Sequence, residues 1–397
     1  MQNNNYIVSN DILLSMKDFL IDLRRDLHAY PELGFEEFRT SEKISSILKS
    51  LNINHKTKIA ETGIIADIEG EDKNFTVAFR ADMDALPMED KKNCSYSSKN
   101  KGKCHSCGHD VHTAVLTGIA KYFSHIKPPC NIRLIYQPAE ETTGGALPMI
   151  NENALENVNV IYGLHVRPEI KCGQISTAYG AMYASSNMFE IHIQGKSAHG
   201  AKSYNGIDPI IIASHIITQL HSFISAFTDN TIRLHIGTIK GGTAGNIVAD
   251  NVKMQGIIRM LCDDNTRESR LNTIENIIIN TSKSFNAEGK FINMPSYPAL
   301  INHKDAVNII RQSAEEILGK ENSLEESPNM TTEDFSYYLQ KIQGAFFSLG
   351  VSNEKINIPI HNGLFDIDEN AINLGVKIQV LNVYNTYKNK EKFIKQI

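Results

Sequence analysis

The sequence predicts an α/β protein, with a central, mostly parallel sheet flanked by helices and an inserted two-layer α+β domain. Three observations carry that expectation. Short apolar runs alternate with helical stretches in the first half; the segments that follow three of them soon present a carboxylate or an imidazole; and beyond Gly180 the pattern changes to strand-like runs with two helical runs among them, before a helix at Lys304.

A chain of 397 residues exceeds what one core usually supports. The expected division is a discontinuous domain from residues 1–182 and 299–397 and an insert from 183–298. Composition is ordinary for a globular protein, at 41% hydrophobic and 21% charged, and the net charge of -5 provides no basic field for nucleic acid or an anionic membrane. The first residues lack the cationic and apolar regions of a signal peptide, and no run approaches the roughly 20 apolar residues that span a bilayer. The six cysteines are scattered, which fits free or metal-bound thiols in a reducing cytoplasm.

From about Asn10 to Leu51 the apolar spacing is helical, with a turn at Pro31 and Gly34. Gly63 to Ile68, Thr76 to Phe79, Asn131 to Tyr136 and Val158 to Tyr162 read as buried strands. The segments that follow the last three bring Asp82 and Asp84, then Glu140 and Glu141, then His165. Ligands in open α/β sheets sit beyond the carboxyl ends of the strands, so these groups are expected to converge. His109 to Phe123 reads as a helix with Val111, Val115, Ile119 and Phe123 on its apolar side, and Asp110 is placed to cap it. In the insert, strands are expected at 187–194, 231–240 and 251–260 and helices at 209–227 and 267–285, within a β-α-β-β-α-β order. Lys304 to Leu318 and Glu369 to Tyr387 read as helices, with a strand at 346–349 between them.

The densest cluster of metal-binding and proton-moving groups is Cys104 to His112, with two thiols, three imidazoles and a carboxylate. Two readings of it compete. It is either part of a catalytic metal site completed from elsewhere, or Cys104-x-x-Cys107 opens a structural zinc knuckle or a redox pair. Glu140-Glu141 follows a buried strand, where unpaired charge is costly. Side chains of adjacent residues diverge, so one can hold a metal while the other handles the proton of an attacking water. His165, His361, Asp82 and Asp84 are individually weak candidates, and their joint placement is what raises them.

Arg24 to His28 with Pro31 to Glu37, Arg80 to Pro87, Cys107 to His112, Gln137 to Glu141, Gly163 to Val166 and Glu333 to Phe335 occur in an order that resembles a known family. It is the amidohydrolase branch of the aminoacylase/carboxypeptidase metallopeptidase family, which includes hippurate hydrolases, auxin-conjugate hydrolases and N-acetyldiaminopimelate deacetylases. The resemblance implies that Cys107, His109, Glu141, His165 and His361 bind a pair of divalent ions, manganese or zinc first and nickel or cobalt next. It makes Glu140 the general base and Asp82 the acid that orients a ligand, with Asp84 the competing position. It also implies that the insert is a lid and dimerisation domain. There His199 helps hold the oxyanion in a partner subunit's site, while Asn246 and Arg259 contact the substrate carboxylate.

The activity implied is cleavage of an N-acyl amino acid, in a cytoplasmic homodimer that binds neither nucleic acid nor membrane. A dipeptidase or carboxypeptidase of the same superfamily is the alternative, and a non-catalytic binder of amino-acid conjugates is the alternative of another class. Ser203-Tyr204 and Ala249 depart from the family's usual residues in the insert and leave the metal cluster untouched.

Overall fold

The structure, a computed structural model, describes residues 8–227 and 230–394. Its largest sheet has eight strands. In chain order they are β1 (Asn54–Ile59), β2 (Gly63–Ile68), β3 (Asp72–Asp82), β4 (Cys130–Gln137), β5 (Val160–Lys171), β6 (Ile175–Thr177), β7 (Ser323–Glu325) and β8 (Gln343–Ser352). They lie side by side as β1-β2-β4-β3-β5-β8-β6-β7. The central neighbours β4, β3, β5 and β8 are parallel, while β1 to β2, β2 to β4 and β8 to β6 are antiparallel. Burial of β3 is continuous from Phe75 to Asp82, as a parallel strand covered on both faces requires. The sequence reading missed β1. Its residues, NHKTKI, are polar and mostly exposed because it is an edge strand.

Five longer helices accompany this sheet: α1 (Lys17–Ala29), α2 (Phe38–Ser50), α3 (His109–Phe123), α4 (Lys304–Leu318) and α5 (Asn370–Lys388). Helix α3 packs between α1 and α5, and all of it except Lys121 is buried. Leu20, Val115, Ile119, Val376 and Val380 belong to the core built around these helices and the sheet. No helix among the described residues is long and apolar enough to cross a membrane.

The chain forms two compact units. The first comprises the chain up to Gly180, Asn302–Ser327 and the chain from Tyr337 onward; the second comprises Ala181–Ile301 and Pro328–Ser336. In the second unit the strands Ile232–Gly241, Asn251–Met260, Ser185–Gln194 and Glu288–Pro295 form one antiparallel sheet in that spatial order. Helices Pro209–Ser225 and Asp264–Ser284 complete it, each with an aspartate, Asp208 or Asp263, capping its first turn. Alternate strand residues Phe189, Ile191 and Ile193 pack with Ile212, Ile216, Ile274 and Ile278 in a core of their own.

Asp110 does not cap α3, contrary to the sequence expectation. Gly108 is the N-cap, with no side-chain capping bond. The buried Asp110 carboxylate instead accepts from Arg24 Nε at 2.9 Å and from His28 Nδ1 at 2.7 Å. Arg24 is itself fully buried and also reaches Asp366 at 2.9 Å and Glu369 at 3.3 Å, tying α1 to α3 and to the approach to α5. These attractions across elements outweigh a local cap. Replacing Asp110 by Ala leaves a buried guanidinium short of a partner, and the metal-free protein is expected to lose about 3–5 kcal/mol in urea unfolding.

Candidate metal centre

The parallel arrangement sets the carboxyl ends of β3, β4 and β5 along one edge. Strand β3 ends at Asp82, with Asp84 two residues on; β4 ends at Gln137 and turns through Pro138-Ala139 into Glu140 and Glu141. Pairing of β3 with β5 runs only as far as Gly163, so His165 lies just past the shared stretch. Cys107 precedes α3, and His109 is its first residue. Between them Gly108 has φ +86, and a Cβ there would lie 2.3 Å from Val166 Cγ2. Only glycine permits that turn against β5. His361 also has positive φ, at 59, and its amide donates to the Ser106 carbonyl at 2.8 Å, which holds it beside the Cys107 loop.

The donor atoms meet closely. Cys107 Sγ is 3.3 Å from both His165 Nε2 and His361 Nε2. Glu141 Oε1 is 3.3 Å from His361 Nε2 and 3.9 Å from His109 Nε2. Groups whose donor atoms all lie within 4.8 Å of one another include Cys107, His109 and His165; Cys107, Glu141 and His361; His109, Glu140 and Glu141; and Asp82, His109 and His112.

Neighbouring groups fix which ring nitrogens point inward. His109 Nδ1 lies 3.1 Å from Asp84 Oδ1 and donates to it, which directs Nε2 into the cluster. His165 Nδ1 donates to the Val166 carbonyl at 2.8 Å, leaving its Nε2 lone pair toward Cys107. The other Asp84 oxygen accepts from the Glu141 amide at 2.9 Å. His109 Nε2 and Glu141 Oε1 are buried and make no hydrogen bond among the described residues. Such atoms are costly to bury unless something binds them, and a divalent cation fits two of them beside a thiol and two further imidazoles.

The electrostatics agree. Burial drives the Cys107 thiol well above its ordinary range, so its thiolate requires a nearby cation. Burial alone would lower His109, yet Asp82 and Cys107 raise it well above its ordinary value, which marks a place where positive charge is stabilised. Glu141 is held down to about 2 although burial opposes this, chiefly by His361 and His109. Burial pushes His165 down to about 3, so it is a neutral ligand at neutral pH.

Asp82 and Asp84 have separate tasks. The sequence reading favoured Asp82 as the acid that orients a ligand, whereas it is Asp84 that accepts from His109 Nδ1. Asp82 accepts from His112 Nδ1 at 2.6 Å and from Arg80 at 2.7 Å. The motif order along the sequence assigns His112 no role. Its Nε2 accepts from the Val166 amide at 3.0 Å, which pins β5 just after His165. A histidine one turn beyond His109 on the same helix is the signal that could have found it. Cys104 is buried, in a different donor group with His28 and Asp90, and all six cysteines are free. The Cys104-x-x-Cys107 pair therefore does not close a knuckle or a disulfide.

His199, Asn246 and Arg259 belong to the second unit. His199 is exposed and pairs with Ile247 in a short antiparallel bridge, and the Gly200 amide donates to the Asn246 carbonyl at 2.7 Å. Arg259 lies on the strand Asn251–Met260, opposite Ser186 and Arg233.

The profile of peptidase family M20/M25/M40 matches residues 78–384. The chain belongs to that family. The M20 chain is 36% identical over 369 residues to the N-acetyl-L-cysteine deacetylase of Bacillus subtilis, covering 92% of this chain and 87% of that one. It is 34% identical over 385 residues to thermostable carboxypeptidase 1 of Saccharolobus solfataricus, covering 94% and 96%. Among solved structures, the Bacillus subtilis YXEP protein, a dinuclear metal binding peptidase from the M20 family, superposes with a TM-score of 0.81 at 30% identity over 94% of this chain and 98% of that one. The M20 chain is accordingly a hydrolase of amide bonds.

Two predictions concern the supports of the cluster. Asp84→Ala frees both the His109 ring and the Glu141 amide, and it should weaken zinc or manganese binding roughly 10–100-fold in a chelator competition. Glu37 lies beneath the Glu140 turn, where burial pushes its carboxyl from 4.5 up to about 7. Between those values the native state keeps a proton that the unfolded chain has lost, so its contribution to stability falls as pH rises through that window and is level outside it. The unfolding free energy of wild type minus that of Glu37→Gln should fall by up to about 1.4 kcal/mol per pH unit there, as read by denaturant titration.

Proposed function

We propose that the chain is a binuclear metal-dependent amidohydrolase that removes the acyl group from an N-acyl amino acid. The supporting observation is the convergence of the unbonded His109 Nε2 and Glu141 Oε1 with Cys107, His165 and His361, beside a second carboxylate, Glu140. Those five residues would hold two divalent ions, manganese or zinc by preference, with nickel or cobalt also suited to the donors. When bound, the ions supply Lewis acidity and lower the pKa of water toward neutrality.

The remaining chemistry belongs to the side chains. Glu140 takes a proton from water as its oxygen bonds to the acyl carbon, then gives that proton to the amide nitrogen as the C–N bond breaks, releasing a carboxylic acid and an amine. Asp84 keeps His109 in one tautomer and Glu141 in place throughout. From the family resemblance, His199 would donate to the oxyanion, and Asn246 and Arg259 would bind the substrate carboxylate. His199 Nδ1 accepts from the Ala201 amide at 3.1 Å, which leaves its Nε2–H directed outward as a donor.

The likeness to an N-acetyl-L-cysteine deacetylase supports the acyl-amino-acid reading, and the likeness to a carboxypeptidase supports the peptide reading. A panel of acetyl-, benzoyl- and aminoacyl-amino acids separates the two readings. The free thiols support a cytoplasmic location. The homodimer implied by the insert is tested by mass measurement in solution.

Glu140→Gln should reduce kcat by at least about 10²–10⁴-fold, the usual worth of a general acid-base group. Metal content, measured by elemental analysis, should stay at the wild-type value. Turnover near wild type would remove Glu140 from the mechanism.

A further inference from the structure

Resting on the reading of Glu140 as the proton carrier, we propose that Glu37 is a positioning residue for catalysis, whose buried carboxyl clamps the turn that presents Glu140 and Glu141. Its carboxyl bonds the Ala139 amide and the Thr62 hydroxyl, so it acts through the backbone at Ala139.

The turn needs a clamp because of its conformation. Ala139, immediately before Glu140, has φ +55, in the left-handed region where the Cβ of an L-residue crowds the backbone. Such a conformation persists only where the surroundings hold it. Glu37 is completely buried, and its Oε1 accepts from the Ala139 amide at 2.8 Å. Its Oε2 accepts from the Thr62 hydroxyl at 2.6 Å, which fixes the carboxyl plane. The Gly144 amide closes the turn on the Ala139 carbonyl at 3.1 Å. Gly34 completes the contact, since a Cβ there would lie 2.9 Å from Ala139 Cα and 2.7 Å from Thr142 Oγ1.

The same short segment reaches the other acid-bearing turn. The Ala85 amide donates to the Glu32 carbonyl at 2.7 Å, and Leu33 bridges to Ala85, which fixes the residue after Asp84. Asp84 in turn accepts from the Glu141 amide. Glu32 to Glu37 therefore sets the distance between the turn carrying Asp84 and the turn carrying Glu140. A displacement of about 1 Å at such a point is enough to cost on the order of 10²-fold in rate.

The test compares Glu37→Ala, Glu37→Gln and Thr62→Val in the full-length protein loaded with manganese or zinc, on any amide in the panel that the wild type cleaves. Compared at matched metal occupancy, Glu37→Ala should lower kcat about 10–100-fold with KM within about twofold. Glu37→Gln keeps an acceptor for the Ala139 amide and should recover most of the loss. Thr62→Val frees one carboxyl oxygen and should lower kcat by a few fold, which keeps the test open if Glu37→Ala does not fold.

In metal-free protein, hydrogen exchange over residues 138–145 should quicken in Glu37→Ala and stay at the wild-type rate in Glu37→Gln. A folded Glu37→Ala with wild-type kcat, unchanged exchange over 138–145, or a Gln variant as slow as the Ala variant overturns the proposal. If the wild type cleaves nothing in the panel, the proposed function fails, while the exchange comparison still decides whether Glu37 holds the turn.

Discussion

Asp84 accepts from His109 Nδ1 with one oxygen and from the Glu141 amide with the other. A single carboxylate thus joins the end of β3 to the start of α3 and to the turn after β4, so two candidate ligands on different elements share one support. Because both bonds are made by a buried group, neither partner can drift without leaving a charged oxygen unpaired. The tautomer of His109, and hence the direction of its inward nitrogen, follows from the same contact.

Around this point the protein has gathered Asp82, Asp84, Glu140, Glu141 and the Cys107 thiol, a density of acidic groups that burial disfavours. The fold's own guanidinium groups answer other carboxylates: Arg80 pairs with Asp82, and Arg24 with Asp110, which also accepts from His28 Nδ1. At the centre the answering atoms are imidazoles aimed inward, and two buried atoms, His109 Nε2 and Glu141 Oε1, make no hydrogen bond among the described residues. That contrast separates a polar network built for rigidity from one built to receive a cation.

Much of the first unit was legible in the chain. The apolar runs at 63–68 and 131–136 and the helices at 109–123 and 304–318 appear with little change in their bounds, because burial on both faces leaves a continuous apolar signal. Strand β1 was invisible for the opposite reason, since an exposed edge strand has no apolar face to show. Cys107, His109, Glu141, His165 and His361 were nameable through motif order, and the structure brings their donor atoms together. Asp82 and Asp84 could not be separated, because they are two residues apart at a strand end and only the positions of His109 and His112 distinguish them. Asp110 was misread as a cap because the rule for caps is local, while its partners Arg24 and His28 come from a helix more than eighty residues earlier.

By itself the sequence determined the class of fold, the family, and which residue types are available for metal and proton chemistry, since these depend on periodicity, composition and motif order along the chain. Tertiary structure alone decided which carboxylate orients which imidazole, that Cys104 and Cys107 turn to different partners, and that Glu37 supports the turn before Glu140. Those assignments rest on distances of about 3 Å between segments remote in sequence. Hydrogen bonding at that range is set by how strands and helices pack, and no spacing along the chain encodes it.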